Sequence, residues 1–539
     1  MNIRGWLRMA VLCLPVGLGS AGVAASEPAL PEVSAALLQA APVNLLPAEQ
    51  ARDFRFSDTI SDPDRPGSFK VAGMVNSQPL FRAENFKITK SVFGISARWT
   101  TAQRVNKGDR VLVRMLMRAL KARQESGDGE GFIYYRPDGA GERNIQQFGV
   151  GSEWTVVSFP FTALESAEAG KGGIHISFGN LEQTLEIAGL EALNFGQRVA
   201  LADLPATRFS YAGRESGAAW RQAALARIDQ LRISPLVVQV QDAQGRPVAG
   251  AKVQAEMLQS AFLWGSAVSA ERLTERGADA DRYRQAVKDL FDTTVIENGL
   301  KWPRWRQAPY RERALQSLDW LRAEGKRVKG HNLVWPAWKF SPADIAKDPE
   351  RGSKIAGLVD AHIRDITAAT RGKLIGWDVV NEPINETDYF QHMPREQVAQ
   401  WFKLAQASDP KLQLTLNEYS MLNRASSPLM IADMLAFARM LKANGARVDV
   451  LGAQGHVGQT PRAPVSVLSD LDLLGSEGHQ VQVTEFDMNT PDEALQADYT
   501  RDFLIALYSH KAVTGFIMWG FWESAHWKPA AAMFRSDWS

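Results

Sequence analysis

The chain has 539 residues, of which 45% are hydrophobic and 22% charged, with 61 Lys and Arg against 60 Asp and Glu. This length is several times what one hydrophobic core needs, so at least two domains are expected. The composition excludes a collagen-like or mainly disordered chain, and the near-zero net charge argues against a nucleic-acid partner. Cys13 is the only cysteine, so an internal disulfide or a cysteine-ligated zinc site is excluded.

Residues 1–25 have the pattern of an export signal. A positive start at Arg4 and Arg8 is followed by an apolar core and by the small residues Val23-Ala24-Ala25, which resemble a cleavage site. The apolar core is shorter than the roughly 20 residues that a membrane-spanning helix needs. We therefore expect a secreted or periplasmic protein with no membrane attachment after cleavage.

Residues 44–200 have the pattern of an all-β domain. Strand-length runs rich in β-branched and aromatic residues alternate with clusters of Gly, Pro and Asp, which is typical of a β-sandwich. These runs are 111–115, 131–135, 155–159, 174–178 and 183–187. A connector is predicted over 206–258, with a helix up to about Leu231 that has one apolar face, followed by a hairpin whose turn is Gln244–Pro247.

Residues 261–539 alternate short apolar runs with amphipathic stretches. The runs are 262–268, 294–298, 327–333, 374–382, 413–418, 448–456, 480–487 and 515–521. Eight strands alternating with helices predict an α/β fold, a (β/α)8 TIM barrel preceded by the sandwich. An open doubly wound sheet would need a Gly-rich phosphate turn after its first strand, and Gly265-Ser266-Ala267 is not one. Too few residues follow the eighth run for a closing helix, so we expect this domain to lack its last helix.

Polar and aromatic residues follow seven of the eight runs, where the active site of a (β/α)8 barrel is found. A single such position would suit a solvated strand end, but seven together indicate a site. From the second run onward they are Glu297, Asn298 and Lys301; His331 and Trp335; Asn381 and Glu382; Asn417; Gln454 and His456; Glu485 and Asp487; and Trp519, with Trp527 beyond it.

Two carboxylates matter most for the chemistry. Glu382 and Glu485 end the fourth and seventh strands, which face each other across a closed barrel, and such a pair is what glycoside hydrolysis requires. Side chains two residues apart on a strand point the same way, so His456 would bridge Glu485 and Asp487 on the neighbouring strand. No third His or Cys lies at ligand spacing, so we expect no catalytic metal and no other cofactor.

Six segments carry a specific resemblance to a known family. They are ENGLKW at 297–302, HNLVW at 331–335, WDVVNEP at 377–383, QGH at 454–456, TEFD at 484–487 and WGFWESAHW at 519–527. In content and order they are similar to glycoside hydrolase family 10, the endo-β-1,4-xylanases. The resemblance covers about residue 262 to the end and extends weakly into the connector. It implies xylan, or a related β-1,4-linked plant cell-wall polysaccharide, as the substrate.

The resemblance also implies roles for the predicted site residues. The mechanism would be retaining, with Glu382 as acid/base and Glu485 as nucleophile, so the two carboxyl groups should lie about 5–5.5 Å apart rather than above roughly 6.5 Å. Glu297, Asn298 and Lys301 would form the subsite beyond the cleavage site. His331, Asn381, Gln454 and His456 would surround the sugar under attack, with Trp519 and Trp527 above it. Apart from the resemblance, Trp335 would be either wall packing or a sugar platform, and Asp487 and Asn417 would be supporting residues.

Some positions leave alternatives open. Gly299, Pro336 and Glu418 depart from the family pattern and would change subsites or substrate preference without touching the catalytic pair. A related barrel could act on β-mannan or β-glucan, and a non-catalytic polysaccharide-binding protein could keep the barrel as a scaffold. The sandwich is similar to carbohydrate-binding modules, and its aromatic residues would form either a sugar platform or a core: Trp99, Tyr134, Tyr135 and Trp154. We expect a monomer.

Overall fold

The computed structural model describes residues 28–47, 52–58, 67–87, 93–123, 126–139, 142–179, 181–424 and 427–539. The predicted export signal, residues 1–25, lies outside the described residues. Within these ranges, no helix is both long and apolar enough to cross a membrane.

The N-terminal part of the chain forms two antiparallel sheets packed face to face, as predicted. The first has the order β3-β4-β11-β6-β9, with β1 paired to β11, and the second has the order β2-β5-β10-β7-β8. Their bounds, after a short helix α1 (Ala35–Leu38), are β1 Val43–Asn44, β2 Phe54–Asp58, β3 Gly67–Val75, β4 Gln78–Asn85, β5 Ile95–Thr100, β6 Arg110–Ala122, β7 Gly129–Pro137, β8 Asn144–Val150, β9 Thr155–Thr162, β10 Gly172–Ser177 and β11 Gln183–Asn194.

The aromatic residues of the sandwich do not form one exposed platform. Trp99 and Tyr135 are buried in the core between the two sheets. Tyr134 stacks on His175 with ring centroids 4.3 Å apart, and Trp154 lies under the guanidinium of Arg118. Trp99 and Tyr135 are therefore core residues, as aromatic side chains of sandwiches commonly are, whereas Trp154 is half-buried.

The connector follows its prediction in the helix and differs from it in the hairpin. Helix α2 (Ala219–Arg232) forms, with Ala224 buried on the predicted apolar face and Trp220 and Ile228 half-buried beside it. Arginines of the same helix also bind the barrel, as Arg221 does at Asp502. The turn of the predicted hairpin forms, with a single bridge between Gln241 and Pro247. The flanking segments are not strands, because side chains such as Val237, 77% exposed, have no sheet to pack on, and an isolated hairpin is marginal in water.

Eight parallel strands form a closed barrel, which confirms the predicted fold class. Neighbouring strands pair in the order β17-β16-β15-β14-β13-β12-β20-β19, and pairing of β17 with β19 closes the ring. The strands are β12 Leu263–Val268, β13 Thr293–Ile296, β14 Arg327–Gly330, β15 Gly376–Asn381, β16 Gln413–Glu418, β17 Val450–Ala453, β19 Gln480–Met488 and β20 Val513–Met518, with a short β18 His456–Val457 beside β19. Every residue of β15 is buried, as expected where helices cover the outside and side chains fill the inside.

Helices cover the outside of the barrel. They are α3 Ala270–Thr274, α4 Ala278–Leu290, α5 Trp302–Trp305, α6 Ala308–Ala323, α7 Ala343–Lys347, α8 Arg351–Ala369, α9 Val398–Ser408, α10 Ser427–Ala443, α11 Pro464–Leu474 and α12 Glu493–Tyr508. Between Met518 and Ser539, all of which the structure describes, no α-helix forms. This segment instead packs on α4, where Trp538 donates to Asp279 at 3.1 Å and stacks on Trp522.

Candidate active site

The candidate site lies at the C-terminal ends of the barrel strands, in a cleft that we define as the space between Glu382 and Glu485. Glu382 directly follows β15 and adopts a left-handed backbone conformation, with φ of 59°, which non-glycine residues rarely adopt. Its amide donates to the carbonyl of Asn417 at 2.8 Å, and its carbonyl accepts from the amide of Glu386 at 2.7 Å. The neighbouring strand and the following turn therefore hold this strained residue in place.

Three side-chain donors fix the Glu382 carboxyl group. Oε1 accepts from Asn381 Nδ2 at 3.0 Å and from Gln454 Nε2 at 2.8 Å. Oε2 accepts from Trp335 Nε1 at 2.9 Å. Because Glu382 is only 4% exposed, these contacts fix the orientation of its carboxyl group in the cleft.

The carboxyl group of Glu485 is held across the cleft. Its Oε1 accepts from Asn417 Nδ2 at 2.8 Å and lies 3.9 Å from His331 Nδ1. Asn417 Nδ2 also donates to Asn381 Oδ1 at 2.7 Å, and Asn381 in turn binds Glu382. One relay of two amides thus joins the two carboxyl groups, so a single buried network fixes both.

His456 bridges the two acids of β19, as the strand periodicity predicted. Nε2 lies 3.4 Å from Glu485 Oε2, and Nδ1 lies 3.0 Å from Asp487 Oδ1. Burial alone would lower the pKa of His456, but the charges of Asp487 and Glu485 outweigh it and raise the pKa to about 10. Trp527 Nε1 donates to Asp487 Oδ2 at 2.6 Å, which ties this 38% exposed ring to the site.

The residues after β13 form the opposite wall of the cleft. Lys301 Nζ donates to Asn298 Oδ1 at 3.1 Å and lies 5.4 Å from the Trp335 ring and 5.9 Å from the Trp519 ring. Loss of hydration lowers the pKa of Lys301, although the charges of Glu297, Glu485 and Glu382 act to raise it. A cation beside two indole faces and an exposed amide can bind a sugar ring and its hydroxyl groups.

Trp519 completes the site from the eighth strand. Its ring meets His331 edge to face, with centroids 4.7 Å apart, and is 5% exposed. The structure therefore brings all of the predicted site residues to one end of the barrel. Their individual roles remain predictions.

Sequence reasoning missed two buried groups inside the barrel. Asp378 Oδ2 lies 2.9 Å from His331 Nδ1, and Asp378 Oδ1 lies 2.7 Å from Lys329 Nζ. Burial opposes its charge, yet Lys329 and His331 hold the pKa of Asp378 below its usual value. The sequence signal for Asp378 is its place in the WDVVNEP motif. Its partner Lys329 lies before the end of β14, and strand-end position therefore gives no signal for it.

Glu418, one of the three departures from the family pattern, supports the turn after Glu382. Its Oε2 accepts from the Ile384 amide at 2.9 Å, and its Oε1 accepts from Asn385 Nδ2 and the Tyr419 amide, each at 2.9 Å. Burial raises the pKa of Glu418 to about 7, although these donors act against it.

The chemistry available here is that of acids and bases. In the described part of the chain, no group of three or more His, Cys, Asp or Glu residues is arranged to hold a metal ion. Two buried carboxyl groups on facing strands, a histidine flanked by acids and several indole rings match the needs of glycosidic-bond cleavage.

Comparison with known proteins places the barrel in a family. The profile of Glycosyl hydrolase family 10 matches residues 254–538, just over half of the 539-residue chain. The chain belongs to glycosyl hydrolase family 10. The match covers the barrel and every predicted site residue.

Individual relatives are similar over part of their length. An anti-sigma-I factor, RsgI6 of Acetivibrio thermocellus, is 29% identical over 327 residues, which are 60% of this chain and 41% of that protein. Endo-1,4-beta-xylanase 5-like of Arabidopsis thaliana is 30% identical over 303 residues, 54% of this chain and 51% of that one. The chain thus spans about half the length of these curated relatives. Among solved structures, xylanase 10B from Thermotoga petrophila RKU-1 in complex with xylobiose is 20% identical over 54% of this chain and 95% of that one, with a TM-score of 0.47.

Proposed function

We propose that the protein is a retaining, endo-acting glycoside hydrolase that cleaves internal β-1,4-xylosidic bonds of xylan by double displacement. The observation that carries this proposal is the pair Glu382 and Glu485, buried on facing strands and joined by the Asn381–Asn417 relay. Membership of glycosyl hydrolase family 10 supports the same reaction.

The reaction proceeds in two steps. In the first, the Glu485 carboxylate attacks the anomeric carbon while Glu382 donates its proton to the leaving oxygen, so the glycosidic bond breaks and a glycosyl ester forms on Glu485. In the second, Glu382 takes a proton from water, whose oxygen attacks the anomeric carbon and releases Glu485. Two inversions at one carbon give net retention.

The surrounding side chains serve these steps. The His456 cation lies 3.4 Å from Glu485 and holds its second carboxyl oxygen. Asn417 Nδ2 donates to Glu485 Oε1, and Trp335 Nε1 donates to Glu382 Oε2. Lys301, with the indole of Trp519, would bind the adjoining sugar.

Xylan as the substrate rests on the relatives. Several of them are named endo-1,4-beta-xylanases, from Arabidopsis thaliana and Thermoanaerobacterium saccharolyticum among others. Export to the periplasm or the medium, directed by the signal at residues 1–25, belongs to the same proposal because polymeric xylan is found outside the cell. We also propose that the protein is a monomer.

Replacement of Glu485 tests the proposal. Glu485→Ala should abolish release of reducing sugar from xylan, because the glycosyl ester of the first step forms on the Glu485 carboxylate. Glu477→Ala is the matched control, since it removes a glutamate that pairs with Arg439 on the surface of the barrel. Hydrolysis of xylan by Glu485→Ala at the wild-type rate would show that the assignment is wrong.

Two other functions are tested alongside. A panel of xylan, β-mannan and β-glucan identifies the substrate, and faster cleavage of mannan or glucan would replace xylan in the proposal. A non-catalytic, polysaccharide-binding role is the other candidate, and one relative is named an anti-sigma-I factor and not an enzyme. That role predicts binding of polysaccharide with no reducing sugar released by the wild type.

A further inference from the structure

The N-terminal sandwich packs on the same end of the barrel as the active site. Asp128, in the turn between β6 and β7, accepts hydrogen bonds from the amide and the hydroxyl of Thr460, which follows β18. A Cβ at Gly458 would lie 2.0 Å from Asp128 Oδ2, and a Cβ at Gly127 would lie 2.6 Å from Arg424 Nε. Only residues without a side chain allow the two domains to approach this closely.

Arg123 extends this contact to the turn after Glu382. Its Nη1 donates to Glu182 at 3.0 Å within the sandwich, and its Nη2 lies 3.8 Å from Glu386 Oε2 in the barrel. The Glu386 amide donates to the carbonyl of Glu382 at 2.7 Å, and Lys339 Nζ donates to the Glu386 carboxylate at 2.8 Å. A side chain of the sandwich therefore lies one contact away from the turn that holds the proposed acid/base.

Arg123 lies beside the loops that follow β15 and β16. An endo-acting enzyme binds a polymer on both sides of the bond that it cleaves. The wall formed by Glu297 and Lys301 follows β13, whereas Glu386 follows β15 and Tyr419 follows β16, further around the ring of strands. The pKa of Arg123 is raised by its hydrogen bond to Glu182 and by the charges of Glu386 and Tyr419, which is consistent with a place beside these loops.

We propose that Arg123 of the sandwich binds the xylan chain on the side of the cleft bordered by the loops after β15 and β16, so that one substrate subsite is shared between the two domains. This inference rests on the proposed function. The Arg123 side chain is 48% exposed, and a guanidinium has five N–H donors, more than its two glutamate partners use. Glu182 and Glu386 fix the direction of the guanidinium of Arg123. A guanidinium fixed in this way can donate its remaining N–H groups to the hydroxyl groups of a neutral sugar.

The sandwich therefore acts as part of the catalytic cleft and not only as a separate module. Glu382, which protonates the leaving oxygen in the proposed reaction, directly precedes the loop after β15, so the leaving-group part of the polymer passes Arg123. A substrate with one aryl ring as its leaving group does not reach it. Loss of Arg123 should then affect long substrates selectively.

The test uses the full-length chain with Arg123→Ala and, as a matched control, Arg104→Ala. Arg104 is an exposed arginine 3.4 Å from Glu168, and it precedes β6 whereas Arg123 follows it, so the two lie at opposite ends of a 13-residue strand. We expect kcat/KM on polymeric xylan to fall about threefold to tenfold in Arg123→Ala, as for one lost hydrogen bond, with no change on an aryl β-xylobioside. Arg104→Ala should match the wild type on both, and Arg123→Gln, which keeps two donors, should lie between.

The outcomes separate this inference from the proposed function. If Arg123→Ala equals Arg104→Ala on xylan, or loses the same factor on the aryl substrate, the shared subsite is refuted while the hydrolase assignment stands. If the wild type cleaves no xylan, the proposed function itself fails and the inference fails with it.

Discussion

His456 provides the sharpest test of the electrostatics of the site. It lies 3% exposed between two carboxylates of the same strand, 3.4 Å from Glu485 and 3.0 Å from Asp487. Its replacement in His456→Asn removes the cation and leaves Glu485 and Asp487 facing each other without it. The matched control is His510→Asn, because His510 pairs with Asp472 at 3.1 Å and precedes β20, at the other end of the barrel.

The pKa of His456 gives the contribution of its charge to stability, and the worth of its hydrogen bond gives the expected loss of activity. A rise from 6.5 to about 10 corresponds to roughly 5 kcal/mol of preference for the charged form in the folded protein. Because the folded pKa is raised, this contribution to stability is fully present below pH 6.5 and is lost as the pH rises through about 10. One charge-assisted hydrogen bond is worth about 1.5–3 kcal/mol, so kcat/KM of His456→Asn should fall roughly ten- to hundredfold.

Two assays measure these effects. The imidazole nitrogens of His456, followed by NMR from pH 5 to 9, should show a protonated ring throughout. Steady-state kinetics on xylan should show the expected loss of kcat/KM in His456→Asn and wild-type values in His510→Asn. Titration of His456 near pH 6.5, or a kcat/KM of His456→Asn equal to that of the wild type, would refute the reasoning.

Two further predictions concern stability. Between pH 4.5 and 7 the folded chain binds more protons at Glu418 than the unfolded chain, because its pKa is raised to about 7, so this group lowers wild-type stability as the pH rises. The free energy of unfolding of Glu418→Gln, measured in urea relative to the wild type, should therefore improve by about 2–3 kcal/mol from pH 5 to 8, and an unchanged difference would contradict this. Arg221→Ala should destabilise the protein by about 1–3 kcal/mol, because Arg221 binds both oxygens of the fully buried Asp502; urea unfolding indistinguishable from the wild type would show that α2 contributes nothing there.

Much of the barrel and its site could be predicted because strand periodicity and chain order determine them. In a parallel barrel every strand ends at the same face, so Glu382 and Glu485 had to meet once eight strands were recognised. The bridging position of His456 followed from the two-residue repeat of a strand.

Other features depend on contacts between distant parts of the chain. The segments beside Gln244 have the apolar composition of strands, but among the described residues no sheet packs on them. A sequence pattern does not show what a segment will pack on. The Arg221–Asp502 contact beside the apolar face of α2 likewise could not be predicted, because the buried acid belongs to a barrel helix far along the chain. Arg123 belongs to the sandwich, and nothing local in its sequence relates it to Glu386.

The stereochemistry of the first product tests the central claim most directly. Proton NMR of xylo-oligosaccharide hydrolysis, recorded in the first minutes before mutarotation, reports which anomer the enzyme releases. Double displacement with Glu382 and Glu485 predicts the β-anomer first, with the α-anomer appearing only at the rate of mutarotation. Release of the α-anomer first would contradict the account, since it would require a single displacement by water and no bond to Glu485.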